Sequence, residues 1–193
     1  MLKIVSRLSK QIIFFAKNKL SPRQFFILSC IVVGVLSALA AIILKFCVHS
    51  IGEWVTYYST NYGHFFLFTL FPIVGIALTV IYIHFGLKDK FKKGSAAIGY
   101  AIARESSKLP GNQVYSHVIT SALTVGFGGS LGLESPMVST GAAVGSNYGN
   151  FFHLSYKDRT VLLACGAAAG IAAAFNSPVA GVLFAIEVLL TDV

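Results

Sequence analysis

The chain has 193 residues, 55% of them hydrophobic and only 11% charged, and its mean hydropathy is +0.75. Soluble globular domains carry about 25% charged residues, so the composition excludes that class and points to an integral membrane protein. The formal net charge of +8 does not imply nucleic acid: twelve of the fifteen Lys and Arg fall in two blocks, Lys3 to Arg23 and Lys88 to Lys108, and Ile51 to Gly63 has none. This is the positive-inside pattern, which places both blocks and the N-terminus on the cytoplasmic side.

The apolar runs are long and do not alternate with period two, so helices rather than strands are the spanning elements and the fold class is all-α. Residues 2–20 interleave basic residues with Ile, Leu and Phe, as in an amphipathic helix lying on the inner leaflet. They have neither the uninterrupted apolar core nor the small-residue cleavage site of a signal peptide. Ser21-Pro22 is a helix-start signal. Phe25 to His49 is the first predicted span, interrupted only by Lys45, which is expected to snorkel to the nearby end. Trp54, Tyr57, Tyr58 and Tyr62 supply an interfacial aromatic cluster on the outer side. His64 to Gly86 returns inward, with Pro72 tolerated in its first half.

Lys88 to Lys93 makes a basic cytoplasmic turn. Gly94 to Arg104 is too short for a crossing and reads as a half-helix dipping into protein, with Glu105 to Gln113 a cytoplasmic loop. Broken helices at membrane depth are tolerated only where they line a cavity or are buried, and they aim their dipole ends at ion sites. Val114 to Phe127 and Met137 to Phe151 are the next predicted helices. Gly141, Gly145 and Gly149 recur at four-residue spacing, and Gly166 and Gly170 continue the theme in Cys165 to Ala174. Such small residues let membrane helices pack closely, which makes these segments interior. Asn176-Ser177-Pro178 breaks the run, and Val179 to Leu190 starts again, with Glu187 near its end where the helix dipole disfavours an anion. Glu187 is either a proton site or a side chain that pairs with a neighbour or faces the cytoplasm. Cys30, Cys47 and Cys165 read as small hydrophobes. The five histidines, at 49, 64, 84, 117 and 153, share no ligand spacing and read as interfacial or structural. No metal or cofactor is implied.

The most informative stretch is Gly128-Gly129-Ser130-Leu131-Gly132-Leu133-Glu134-Ser135-Pro136. Pro forgoes an N–H that a first helical turn leaves unpaired anyway, which puts Glu134 at or just before a helix N-terminus at membrane depth. That end carries partial positive charge and free N–H groups and so binds anions. The carboxylate of Glu134 is either that anion or its competitor, and an ionisable group in the membrane is a functional candidate by default. The same residues match the G-x-S-x-G nucleophile elbow, with Ser130 as nucleophile. That motif needs a preceding strand and later acid and His partners, whereas a membrane helix precedes it and only His153 follows. Lys93, Gly94 and Ser95 open the half-helix, where a basic juxtamembrane turn is the plain reading.

Two runs resemble the CLC family of chloride channels and chloride/proton antiporters. Gly166 to Glu187, GAAAGIAAAFNSPVAGVLFAIE, looks like the helix pair before the midpoint of that family, and Gly128 to Pro136, GGSLGLESP, is similar to its GGSLGREGP-type signature. The resemblance covers residues 23 to 193 and corresponds to the N-terminal half of the fold, the first of two inverted repeats of tilted and broken helices. On this basis residues 1–22 are a cytoplasmic N-terminal helix and 23–193 half of a CLC-type transmembrane domain. The second repeat is missing from this stretch, so the chain is expected to be a partial product that does not complete a pore by itself.

The resemblance implies a homodimer in the bilayer that transports chloride or a similar anion, with protons in the exchanging members. It implies that Glu134 is the external gate and that Gly132, Leu133, Ser135 and Pro136 surround the outer anion site. Leu133 and Ser135 stand where the signature has Arg and Gly. The inner selectivity motif GSGIP corresponds to Lys93-Gly94-Ser95-Ala96-Ala97-Ile98. An ungapped match places Lys93 at the anion-coordinating serine, and a two-residue shift places Ser95 there. Ile186-Glu187-Val188 falls where proton-coupled members have Ile-Glu-Glu, so Val188 occupies the proton-glutamate position and leans the reading toward a channel or uncoupled carrier. The alternatives from other classes are a membrane-embedded serine hydrolase and a non-transporting scaffold.

Overall fold

The structure, a computed structural model, describes residues 21–61, 65–87 and 94–190. The predicted amphipathic segment 2–20 and the basic turn Lys88 to Lys93 lie outside these residues. Among the described residues every regular element is helical. They are α1 (Pro22–Asn61), α2 (Phe65–Ile81, continuing as a π-helical turn Tyr82–Gly86), α3 (Gly94–Arg104), α4 (Gln113–Gly126), α5 (Glu134–Phe151), α6 (Tyr156–Phe175) and α7 (Pro178–Phe184, continuing as a π-helical turn Ala185–Leu189).

The start of α1 is written in Ser21-Pro22-Arg23-Gln24. The Gln24 N–H donates to Ser21 Oγ at 3.4 Å, and the Ser21 N–H donates to Gln24 Oε1 at 3.2 Å. This reciprocal pair is a capping box, with Pro22 at the first helical position. The helix does not stop at His49. No proline interrupts the stretch beyond it, and α1 continues to Asn61 as a 40-residue helix, about 60 Å long at ~1.5 Å per residue. That exceeds a hydrocarbon core of roughly 30 Å, so α1 tilts or projects beyond the core. Trp54, Tyr57 and Tyr58 therefore sit on the helix itself, with Trp54 4.7 Å from Tyr58 and 6.5 Å from Phe71 of α2 between ring centroids.

The extension also corrects the reading of Lys45. It is not near a helix end and does not snorkel to one: its Nζ donates to the carbonyl of Ala173, 3.1 Å away in the last turn of α6.

The centre of the fold is the antiparallel pair α5 and α6, with α1 packed against it. The glycine spacing makes this contact possible. A β-carbon at Gly141 would strike the backbone of Gly166, one at Gly145 the backbone of Leu162, and one at Gly170 the Met137 carbonyl. Each step of four along α5 is met by a step of four back along α6, so the two backbones touch directly. Ala142, Ala143, Leu163, Ala164 and Ala167 fill the space around them and are almost wholly buried.

The α3–α4 loop is polar in sequence, yet part of it is core. Ser107 Oγ and Thr160 Oγ1 are 2.6 Å apart, Ser146 Oγ donates to the Ser107 carbonyl at 2.6 Å, and the Leu109 N–H donates to Ser146 Oγ at 2.8 Å. These bonds satisfy buried main-chain groups and pin the C-terminal side of α3 to α5 and α6. Tyr156 adds a further tie from its hydroxyl to the Ile102 carbonyl at 3.1 Å. At the other end of α6, Asn176 takes the left-handed conformation at φ 53° and donates its N–H to the Ala172 carbonyl. Pro178 then opens α7 at its first turn. This is the break that Asn176-Ser177-Pro178 predicts.

Candidate functional site

The run from Gly128 to Pro136 divides its residues between two tasks. The first is to end α4. The Gly128 N–H donates to the Val125 carbonyl at 3.0 Å and the Gly129 N–H to the Thr124 carbonyl at 2.9 Å, the paired bonds of a Schellman motif. Gly128 has φ +93°, and a β-carbon at Gly129 would lie 2.5 Å from the Thr124 carbonyl oxygen. These two glycines therefore serve the stop rather than the carboxylate beyond it.

The second task is to begin α5. The helix starts at Glu134, with Leu133 at the N-cap and no side chain capping it. The first closing bond runs from the Met137 N–H to the Leu133 carbonyl at 3.1 Å. Pro136 has no N–H to leave unpaired, and among the described residues the amides of Gly132, Leu133, Glu134 and Ser135 find no main-chain acceptor. The carboxylate of Glu134 folds back toward Gly132, where an added β-carbon would stand 3.0 Å from Oε2. Side-chain charge and unpaired amides thus share one helix end, where an anion is favoured by about 0.3–1 kcal/mol in exposed settings. Glu134 is exposed, not buried, in this chain.

The start of α3 comes to the same place. Gly94 has φ +73°, and a β-carbon on it would lie 4.0 Å from Ser135 Oγ. Gly94, Leu131, Gly132, Ser135 and Pro136 line one cavity of about 270 Å³, roomy enough for several waters or a small anion. Of the residues singled out by sequence, Gly94, Gly132, Ser135 and Pro136 are brought together here. Ser95 is the second residue of α3, and Lys93 lies outside the described residues. Leu133 turns away and packs against the cluster of Ala41, Leu44, Ala122 and Met137. Glu187 and Val188 are exposed in the π-helical turn after α7 and are not among the lining residues. Ser130 is exposed in a segment that follows a helix, not the strand a nucleophile elbow needs.

The opposite wall is one that sequence reading missed. His117, Thr120, Ser121 and Thr124 of α4, with Thr79 of α2, form its polar part, beside Ile83 and Val125. His117 is buried here rather than interfacial. Thr120 Oγ1 donates to the Ser116 carbonyl and Thr124 Oγ1 to the Thr120 carbonyl, both at 2.9 Å, and Thr79 Oγ1 lies 2.9 Å from Thr124 Oγ1. The threonine donors on this wall are spent on the main chain or on each other. The signal was available: positions 117, 120, 121 and 124 form an i, i+3, i+4, i+7 polar stripe along the helix.

The voltage gated chloride channel family model matches residues 74–193, the segment from α2 through both helix starts to the end of the chain. The chain belongs to this family. The "H(+)/Cl(-) exchange transporter ClcA" of Vibrio cholerae serotype O1 is 32% identical over 195 residues, covering 95% of this chain and 41% of that one. The "Chloride channel protein CLC-d" of Arabidopsis thaliana is 29% identical over 180 residues, covering 81% and 22% respectively. Among solved structures, a slow cyanobacterial Cl-/H+ antiporter superposes with a TM-score of 0.71 at 24% identity, over 88% of this chain and 40% of that one. The fold is therefore a CLC-type bundle of tilted and broken helices, and the protein is an integral membrane protein. The chain spans about two fifths of the length of the bacterial ClcA relative.

Proposed function

We propose that this chain contributes the N-terminal half of an anion pathway, with chloride as the occupant, and that Glu134 is its proton-sensitive gate. The observation that carries the reading is the meeting of the α3 and α5 starts at one cavity, with the carboxylate of Glu134 turned back toward Gly132 at the same helix start. An ionised Glu134 occupies its own helix end as a tethered anion and excludes a free one. Protonation removes its charge and with it the attraction to the helix end, and an anion from solution takes the place. Gly132, Leu133, Ser135 and Pro136 form the outer site in this reading, chiefly through main-chain groups. Gly94 with Ser95 or Lys93 forms the inner one.

The names of the relatives support both a channel and a proton exchanger. Val188, an aliphatic side chain where the resemblance calls for a second carboxylate, favours channel or uncoupled transport. The complete protein in this reading is a multi-pass homodimer in the lipid bilayer with a cytoplasmic N-terminus. The test is chloride efflux from proteoliposomes holding a family-length polypeptide that carries these 193 residues. Efflux that rises as pH falls is expected, with Glu134→Gln open at all pH values. No efflux, or an unchanged pH response in Glu134→Gln, overturns the reading.

A further inference from the structure

Lys45 sits within α1, well inside a helix long and apolar enough to cross a membrane, where a charged group is costly unless it finds a partner. Its partner is a neutral one. The Nζ donates to the Ala173 carbonyl at 3.1 Å, and among the described residues no carboxylate pairs with it. A lysine bonded to a carboxylate projects little field beyond the pair. One bonded to a carbonyl keeps its full unit charge, and in a weakly screened interior that charge acts over many ångströms.

The position of this charge relative to Glu134 follows from packing. Lys45 directly follows Leu44, a member of the buried cluster of Ala41, Leu44, Ala122 and Met137. Ala173, which receives the ammonium, packs against the same cluster, and so does Leu133, the residue before Glu134. Met137 of that cluster lies one turn into α5 from Glu134. The unpaired cation and the first turn of α5 therefore flank one small apolar cluster. Leu133, at the position where the signature it resembles has Arg, adds no charge of its own.

We infer that Lys45 supplies, from α1, the fixed positive charge that draws anions to the start of α5, acting as an electrostatic positioning residue rather than as a ligand. This rests on the anion reading of Glu134. The competing role is purely structural: the ammonium caps the last carbonyls of α6 and nothing more.

Chloride binding to the purified family-length polypeptide carrying these residues, measured by titration calorimetry in detergent alongside its thermal unfolding, separates the two. Lys45→Met should weaken chloride binding about three- to tenfold, a loss typical of one removed charge acting at a distance, and Lys45→Arg should bind as the parent does. Leu133→Arg returns a cation to the cluster from α5 without restoring the α6 cap. It should recover binding in the Lys45→Met background and tighten it in the parent, an arm that stands even if Lys45→Met fails to fold. Parental chloride affinity in Lys45→Met overturns the inference. So does a fall in unfolding temperature with no change in affinity, or Leu133→Arg that alters affinity in neither background. A parent that binds no chloride removes the anion reading, and this inference with it.

Discussion

Gly94 and Ser135 meet where α3 and α5 begin: a β-carbon on Gly94 would lie 4.0 Å from Ser135 Oγ. Sequence separates the two motifs, and α4 lies between them, yet both line the same cavity. Gly94 also has φ +73°, a conformation L side chains rarely adopt. Gly94→Val therefore combines backbone strain with a bulky group in the cavity. It is expected to cut chloride efflux at least several-fold, while Gly99→Ala, where an added β-carbon meets nothing within 4 Å, leaves efflux near the parental rate. Equal effects of the two changes would remove the cavity from the pathway.

The carboxylate over Gly132 makes a separate prediction. Gly132→Ala places a methyl 3.0 Å from Glu134 Oε2, so the carboxylate must shift by a few tenths of an ångström from its place at the helix end. The ionised, closed arrangement loses stability, and efflux at neutral pH should rise about two- to fivefold, the scale of a carboxylate's interaction with a helix N-terminus. In Glu134→Gln the same alanine should change little, because no charge remains to displace. Efflux measured in both backgrounds checks the coupling.

Stability tests the α5–α6 pair without reference to transport. Gly145→Leu forces a side chain into the Leu162 backbone, and overpacking of this kind costs about 1–3 kcal/mol or more. Thermal unfolding in detergent should show the loss, and Gly99→Ala should not.

The loop staple predicts a buried polar defect. Ser146→Ala removes the acceptor of the Leu109 N–H and the donor to the Ser107 carbonyl. An unsatisfied buried group costs about 1–3 kcal/mol, and hydrogen exchange at Leu109 should rise with it. Unchanged exchange would mean that the loop is held by Tyr156 and Thr160 alone.

What the sequence determined by itself was local. Proline, glycine and capping chemistry act within a few residues, so Ser21-Pro22, Asn176-Ser177-Pro178 and Glu134 marked helix boundaries, and the four-residue glycine spacing marked faces of close approach. The composition and two motifs also sufficed to point to a membrane fold and its family. What the tertiary structure decided was who meets whom. Gly128 and Gly129, which share one motif with Glu134 in the sequence, are committed to closing α4. The polar stripe from His117 to Thr124 acquired meaning only when α4 was placed against the starts of α3 and α5. Lys45, expected to reach for an interface, found Ala173 at a sequence distance of 128 residues. Such contacts depend on where helices cross, and crossing is set by how the small-residue faces of α5 and α6 let two backbones touch, which no short window of sequence contains.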